Sequence, residues 1–411
     1  MRIPRSITAL VFAVVAIYSC GSDNDGTPLA PVVEDGLSNA EASKVPGFSI
    51  ADELSPWGAH SPFLGSKLDI DSFPTRNFAT GNTKDSIPAI TNATFVGPGE
   101  IDYLLEDDLV LGLVVDGIAR AYPENILWWH EIINDEIGGY PVSVTFCPLT
   151  GTGLAFKAAD GAPFELGVSG MLFNSNLIMY DHRDNQTLYP QIYFTGISGR
   201  RKGESLTLLP VTETKWATWK RLHPDTDVMA LGDGGTYRAE EVYVRYPYRN
   251  YLTTEILLSQ VTPSPRHNPN PHALDYGRKA PLLGMRLNGE LKAYVFEDLG
   301  ERMVINDQLG GRDVLVVWDR ESFLAVPYWR EVDGRTLTFE LDASTGFPFS
   351  LVDEETASRW NASGVAIDGP MVGTRLTQIP AHNSFWFAPG SLFGGKRPSG
   401  SLELAHPPRM T

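Results

Sequence analysis

Leu111-Gly-Leu-Val-Val-Asp-Gly-Ile-Ala-Arg-Ala-Tyr122 reads as a β-hairpin. Two apolar runs flank Asp116-Gly117, a pair that tolerates the positive φ of a tight type I′ turn. The pattern returns as Leu283-Gly-Met-Arg-Leu-Asn-Gly-Glu-Leu-Lys-Ala-Tyr294. At the same offset, Ile133-Asn-Asp-Glu-Ile-Gly-Gly139 matches Ile305-Asn-Asp-Gln-Leu-Gly-Gly311, and Asp181 falls opposite Asp353. With small gaps, Gly203-Glu-Ser-Leu-Thr-Leu-Leu-Pro210 matches Gly373-Thr-Arg-Leu-Thr-Gln-Ile-Pro380, and Trp216 falls opposite Trp386. Matches in this order predict a mainly β fold: two internally repeated β-rich units packed into one compact body, with few short helices. Units of this kind commonly pack face to face about a pseudo-two-fold axis.

The first unit spans residues 99–232 and the second 272–395. Within the first, strands are expected at Leu109 to Val115, Ile118 to Tyr122, Tyr140 to Phe146, Thr152 to Lys157, Leu172 to Tyr180 and Leu206 to Leu209. A short helix is expected from Pro123 to about Trp129, with proline at its start. Residues 233–271 form an aromatic, proline-rich connector of a kind that often carries function. Residues 47–98 read as an irregular extension packed on the body, and 396–411 as a tail.

The N-terminus carries Arg2 and Arg5 and then an apolar run from Ile7 to Tyr18, too short for a comfortable bilayer span. It ends Ile17-Tyr18-Ser19-Cys20, which resembles the lipobox of bacterial lipoproteins. The resemblance implies a signal peptide over 1–19, a lipid on Cys20 and a flexible acidic tether over 20–46. It places the chain in the bacterial cell envelope, extracytoplasmic, at the outer membrane in a Gram-negative cell. The partner so implied is the membrane, reached through the lipid anchor. A net charge of −17 lacks the basic footprint that nucleic acid requires.

The second of the two cysteines, Cys147, has no intramolecular partner once Cys20 is modified. At the repeat offset Cys147 falls opposite Asp319, His130 opposite Arg302 and His182 opposite Glu354. Asn-Asp and Gly-Gly recur in both units and read as scaffold, whereas the thiol and these histidines belong to one unit only. A hairpin centred on Gly138-Gly139 sets His130 across from Cys147, with Cβ atoms about 5 Å apart. A helix over residues 123–131 breaks that pairing.

His130-Glu-Ile-Ile-Asn-Asp135, Val144-Thr-Phe-Cys-Pro-Leu-Thr-Gly-Thr-Gly153 and Ser169 through Asp181 resemble blocks of the bacterial family known as domain of unknown function 3179. So do Trp216 through Pro224 and Ser384-Phe-Trp-Phe387. The resemblance covers roughly residues 95–395 and implies no particular activity. Some members read Cys-Pro-Leu-Cys where this chain has Thr150, so a Cys-x-x-Cys redox pair is not available here.

Three readings stay open. In the first the chain binds a ligand or a soft metal, copper or zinc, through Cys147, His130 and His382. Thr150, Gly151, Thr152, Asn174 and Asn176 would then line a small-molecule site. In the second it is a thiol-dependent enzyme with Cys147 as nucleophile, His130 as base and Glu131 or Asp181 orienting it. In the third it is a structural or interaction protein, and Cys147 is a buried core residue. No phosphate-binding glycine loop, GxSxG or HExxH is present.

Overall fold

Asp116 and Gly117 take φ of 48° and 83° and close the hairpin between β1 (Leu109–Val115) and β2 (Ile118–Pro123). In this computed structural model the described residues are 84–173, 175–232, 240–255, 275–288, 290–342 and 346–388, with short strands at 60–61, 66–67, 78–80 and 402–404. The expected signal segment, Cys20, the expected tether, Asn174, and most of the expected extension, connector and tail lie outside them.

The first half continues through α1 (Glu124–His130) into an antiparallel meander of β3 (Ile132–Ile137), β4 (Tyr140–Cys147) and β5 (Thr152–Lys157). A hairpin of β6 (Leu166–Phe173) and β7 (Asn176–Asp181) follows, then β8 (Leu188–Pro190) and β9 (Thr207–Leu209). β10 (Val211–Lys215) runs into α2 (Trp216–Leu222), and β11 (Asp227–Met229) completes the half. The stretch from Leu172 to Tyr180, expected as one strand, is broken because Ser175 adopts φ 68° and turns the chain back.

The connector contributes the short helix α3 (Glu240–Tyr243). The second half then opens on β12 (Pro281–Leu287) and β13 (Glu290–Val295). A 3-10 turn at Phe296–Leu299 leads into a meander of β14 (Arg302–Leu309), β15 (Arg312–Asp319) and β16 (Leu324–Trp329). Next come β17 (Phe339–Asp342), β18 (Ser350–Asp353), β19 (Arg359–Asn361) and β20 (Ala366–Asp368). β21 (His382–Phe385) and β22 (Leu402–Leu404) end it. The chain is mainly β, and the helices among the described residues are at most seven residues long.

The halves share strand order. β10-β1-β2-β11 and β21-β12-β13-β22 are both two antiparallel pairings followed by a parallel one. They also share polar fasteners. The Tyr122 hydroxyl donates to Asp135 at 2.6 Å, and Arg120 pairs with the same carboxylate. The Tyr294 hydroxyl donates to Asp307 at 2.9 Å, and Lys292 pairs with it. Asn134 brackets the backbone of Leu166 with bonds of 3.0 and 2.9 Å, and Asn306 brackets Phe339 with bonds of 2.8 and 2.9 Å. The Asn-Asp pair therefore ties each meander to its neighbouring sheets.

Cover between the halves is reciprocal. β10 lies on β16, β21 lies on β5, and β10 and β21 meet at the junction. Thr214 Oγ1 donates to Ser322 O at 2.6 Å, and the Phe385 amide donates to Thr150 O at 2.8 Å.

Gly112 and Gly284 hold matching places on β1 and β12 but meet different neighbours. A Cβ on Gly112 would stand 2.1 Å from the Trp219 ring, whereas one on Gly284 would have 3.4 Å to His382. Gly112→Ala is expected to lose about 1–3 kcal/mol by overpacking a rigid core. Gly284→Ala is expected to lose less than about 1 kcal/mol. Urea unfolding of both variants measures the difference, and equal losses would refute the packing account.

Candidate functional site

Pro123 caps α1 with extended backbone, so the helix begins one residue later than its proline suggests. Burial of Ile126 and Leu127 carries it on to His130. Glu131 ends it in the left-handed region at φ 58°, its amide bonded to Leu127 O at 2.7 Å. A residue with a Cβ is held there at roughly 1–2 kcal/mol. Its own carbonyl accepts the Phe146 amide at 2.8 Å, which locks the turn against β4. The Glu131 side chain is buried, and desolvation pushes its carboxyl up to about 8.

Cys147, the last residue of β4, is buried in an apolar cluster with Ile132, Leu149 and Leu154. Its Sγ donates to Ser175 O at 3.6 Å. Burial and then the nearby Glu131 carboxyl push the thiol up to about 11. It stays protonated at neutral pH, whereas the thiolate is what attacks carbon or binds metal.

The His130 ring bonds to other partners. The β3–β4 register is centred on Gly138-Gly139, but β3 begins at Ile132, and α1 carries His130 out of the ladder. Its Nδ1 meets Pro88 O and its Nε2 the Tyr243 hydroxyl, each at 2.8 Å. In the second half the ladder does run on, and the facing pair is Arg302 and Asp319, an ion pair at 2.8 Å. His382 lies on β21 against Gly284, and burial and then Arg286 push it down to about 4. Among the described residues no group of three or more His, Cys, Asp or Glu is placed to hold a metal ion.

Thr150, Thr152 and Asn176 are buried in a closed network. Asn176 Nδ2 donates to Thr150 Oγ1 at 3.0 Å and to Gln191 Oε1 at 2.7 Å, and Gln191 Nε2 donates to Thr152 O at 3.1 Å. These bonds brace a wall, while Gly151 lines a cavity that Thr150, Thr152 and Asn176 do not line. At Gly151 (φ 58°) a Cβ would stand 2.9 Å from the Phe385 ring of the other half. Asn174 lies outside the described residues.

That cavity, about 170 Å³, sits where the halves meet. Rings of Trp128, Phe146, Tyr246 and Phe385 form much of its wall. Tyr246 comes from the connector and donates to Pro148 O at 2.8 Å. Glu124 from α1, Glu213 from β10, and Asn383 and Ser384 from β21 supply polar atoms. All four are at least nine-tenths buried: 4 %, 9 %, 6 % and 1 % exposed. Glu124 Oε1, Glu213 Oε2, Asn383 Nδ2 and Ser384 Oγ have no hydrogen-bond partner among the described residues. Burial and then the charge of Glu213 raise Glu124 well above the usual carboxylate range, with Trp128 opposing. Burial pushes Glu213 up to about 7, and Asn383, which lies against it without a well-formed bond, pulls the other way. No Lys, Arg or His is among the described residues that line the space.

Reasoning from the sequence missed Glu124 and Glu213, although a signal was present. At the repeat offset Glu124 falls opposite Phe296, and in the Trp216–Trp386 alignment Glu213 falls opposite Asn383.

A family model described as "Protein of unknown function (DUF3179)" matches residues 84–393. No curated protein and no solved structure matches the chain.

The raised carboxyls set a pH dependence. Glu131 and Glu213 hold protons in the folded state up to about 8 and about 7, against 4.5 ordinarily. Their contribution is complete below about pH 4.5 and is lost as pH rises through the folded values, because the native state then binds more protons than the unfolded one. Melting temperature is expected to fall from pH 5 to pH 8, and Glu131→Gln to flatten part of that fall. A rise across this window would refute it.

Proposed function

We propose that this chain, which belongs to the family of proteins of unknown function matched over residues 84–393, is a small-molecule-binding lipoprotein of the bacterial cell envelope. Its ligand occupies the junction cavity. One observation carries this reading: four polar atoms that lack protein partners, on side chains at least nine-tenths buried, line a single space. Each unsatisfied buried group costs about 1–3 kcal/mol. A bound molecule that meets them together offsets that cost, and concave, largely apolar space with a few convergent polar groups is the usual form of a ligand site. An engineered cavity of about 150 Å³ takes a benzene-sized body, which sets the scale of the ligand here.

The thiol-enzyme reading has less support. Cys147 is buried, protonated and away from His130. Copper or zinc through Cys147, His130 and His382 is likewise less supported than an organic ligand. The lipid anchor rests on the N-terminal sequence, with Cys20 after Ile17-Tyr18-Ser19.

A thermal-shift screen of cationic, neutral and anionic molecules up to about benzene size tests the site. At least one is expected to raise the melting temperature of the wild type, and the gain is expected to shrink in Glu213→Gln. If no class shifts it, the binding reading is wrong. Cys20→Ser is expected to move the protein from the detergent phase to the aqueous phase in detergent phase partitioning. Retention in the detergent phase would overturn the anchor.

A further inference from the structure

We infer that the ligand of this cavity is a small primary ammonium ion, its head between Glu124 and Glu213 and its apolar body against the aromatic walls. The inference rests on the small-molecule reading above and adds the ligand's charge and class.

Charge comes first. The cavity holds two carboxyls and no Lys, Arg or His to balance them. A buried carboxylate is retained when it is paired, and otherwise it takes up a proton. The groups facing the pair do not help: Tyr246 is a phenol raised by burial, and Glu131 and Cys147 behind it are further acids. A cation entering with the ligand supplies the missing partner.

Donor count comes next. Glu124 Oε1, Glu213 Oε2 and Ser384 Oγ are three acceptors lacking protein partners around one space, and an –NH₃⁺ group has three donors. The fourth such atom, Asn383 Nδ2, is itself a donor directed to the Glu213 side.

The walls settle the body. Aromatic side chains of Trp128, Phe146, Tyr246 and Phe385 in the wall suit an organic cation and accept its hydrocarbon part. They do not suit a hard metal ion, which takes six or more oxygens. An anion would find no basic side chain among the described lining residues to pair with.

Binding is coupled to protons. Burial raises both carboxyls of the empty pair, so R–NH₃⁺ entering displaces to solvent a proton that the pair holds, and charge balances with no other reactant. Affinity therefore rises with pH up to the ionisation of the pair and falls once the free amine loses its own proton.

Isothermal titration calorimetry on detergent-solubilised full-length protein, with methylamine, butylamine, benzylamine, benzyl alcohol, benzoate and calcium chloride, tests this. Butylamine or benzylamine is expected to bind at least about tenfold tighter than benzyl alcohol or benzoate, and calcium is expected not to compete. For one displaced proton, affinity is expected to gain up to about tenfold per unit between pH 5 and 6.5. The heat is expected to vary with the buffer's ionisation enthalpy in the sense of proton release. Glu124→Gln and Glu213→Gln are each expected to weaken amine binding by about tenfold or more. Should either fail to fold, the buffer dependence of the wild type still decides. Equal or tighter binding of benzyl alcohol or benzoate, or amine binding without proton release, overturns the ammonium assignment and leaves small-molecule binding standing. No heat and no thermal shift from any probe overturns both.

Discussion

Each half of the molecule leaves an outer strand that only the other half can cover. β10 rests on the second meander, β21 rests on the first, and the two strands meet between them. Antiparallel sheets tolerate one wet face, so two faces buried this way must be matched by contacts from elsewhere in the chain. Here they come from the partner half, through bonds such as Thr214 to Ser322 and Phe385 to Thr150. The exchange has a chemical consequence: polar residues on the outer strands are desolvated whether or not they have partners. Glu213 on β10 and Asn383 on β21 are therefore buried by the architecture, and the cavity is the volume the two strands fail to fill.

Much of the fold was legible because it is local. The hairpin at Asp116-Gly117 follows from turn chemistry, and the strands around it follow from an alternating period. The short helix after Pro123 was legible within a residue at each end. The break at Ser175 was not, since serine does not advertise a left-handed turn inside an apolar run. The relation of His130 to Cys147 hinged on one question, whether the helix reaches residue 130. Burial of Ile126 and Leu127 against distant strands decides that, and periodicity in seven residues does not. The cavity was illegible for a related reason. Residues 124, 213, 246 and 383 are far apart in sequence, and only the packing of the halves joins them.

The helix end shows how one local choice distributes chemistry. Glu131 adopts a left-handed conformation at φ 58°, where Gly300, ending the helical turn of the other half, takes φ 64° without a side chain to strain. The Glu131 turn lifts His130 out of the strand ladder and brings a carboxyl beside Cys147. The imidazole is spent on Pro88 and Tyr243, and the thiol faces an acid instead of a base. Burial and the nearby Glu131 carboxyl both favour the thiol form of Cys147 over the thiolate. Strained backbone clusters where a structure over-determines it, and here it lies one helix away from Glu124.

The comparison of halves bears most directly on why Glu124 is there. The residue that opens the helical turn after the hairpin is Glu124 in one half and Phe296 in the other. Phe296 is buried and stacks on Trp318 with ring centroids 4.3 Å apart, so an apolar side chain satisfies the architecture at this place. A carboxyl there gains the fold nothing and brings a desolvation cost of several kcal/mol unless it is neutralised. Asn383 likewise shows that the Glu213 position accepts a neutral amide. Two acids stand where the fold accepts neutral residues, in one cavity and within each other's field. Packing alone gives no reason for the pair, and the proposed ammonium ligand supplies one.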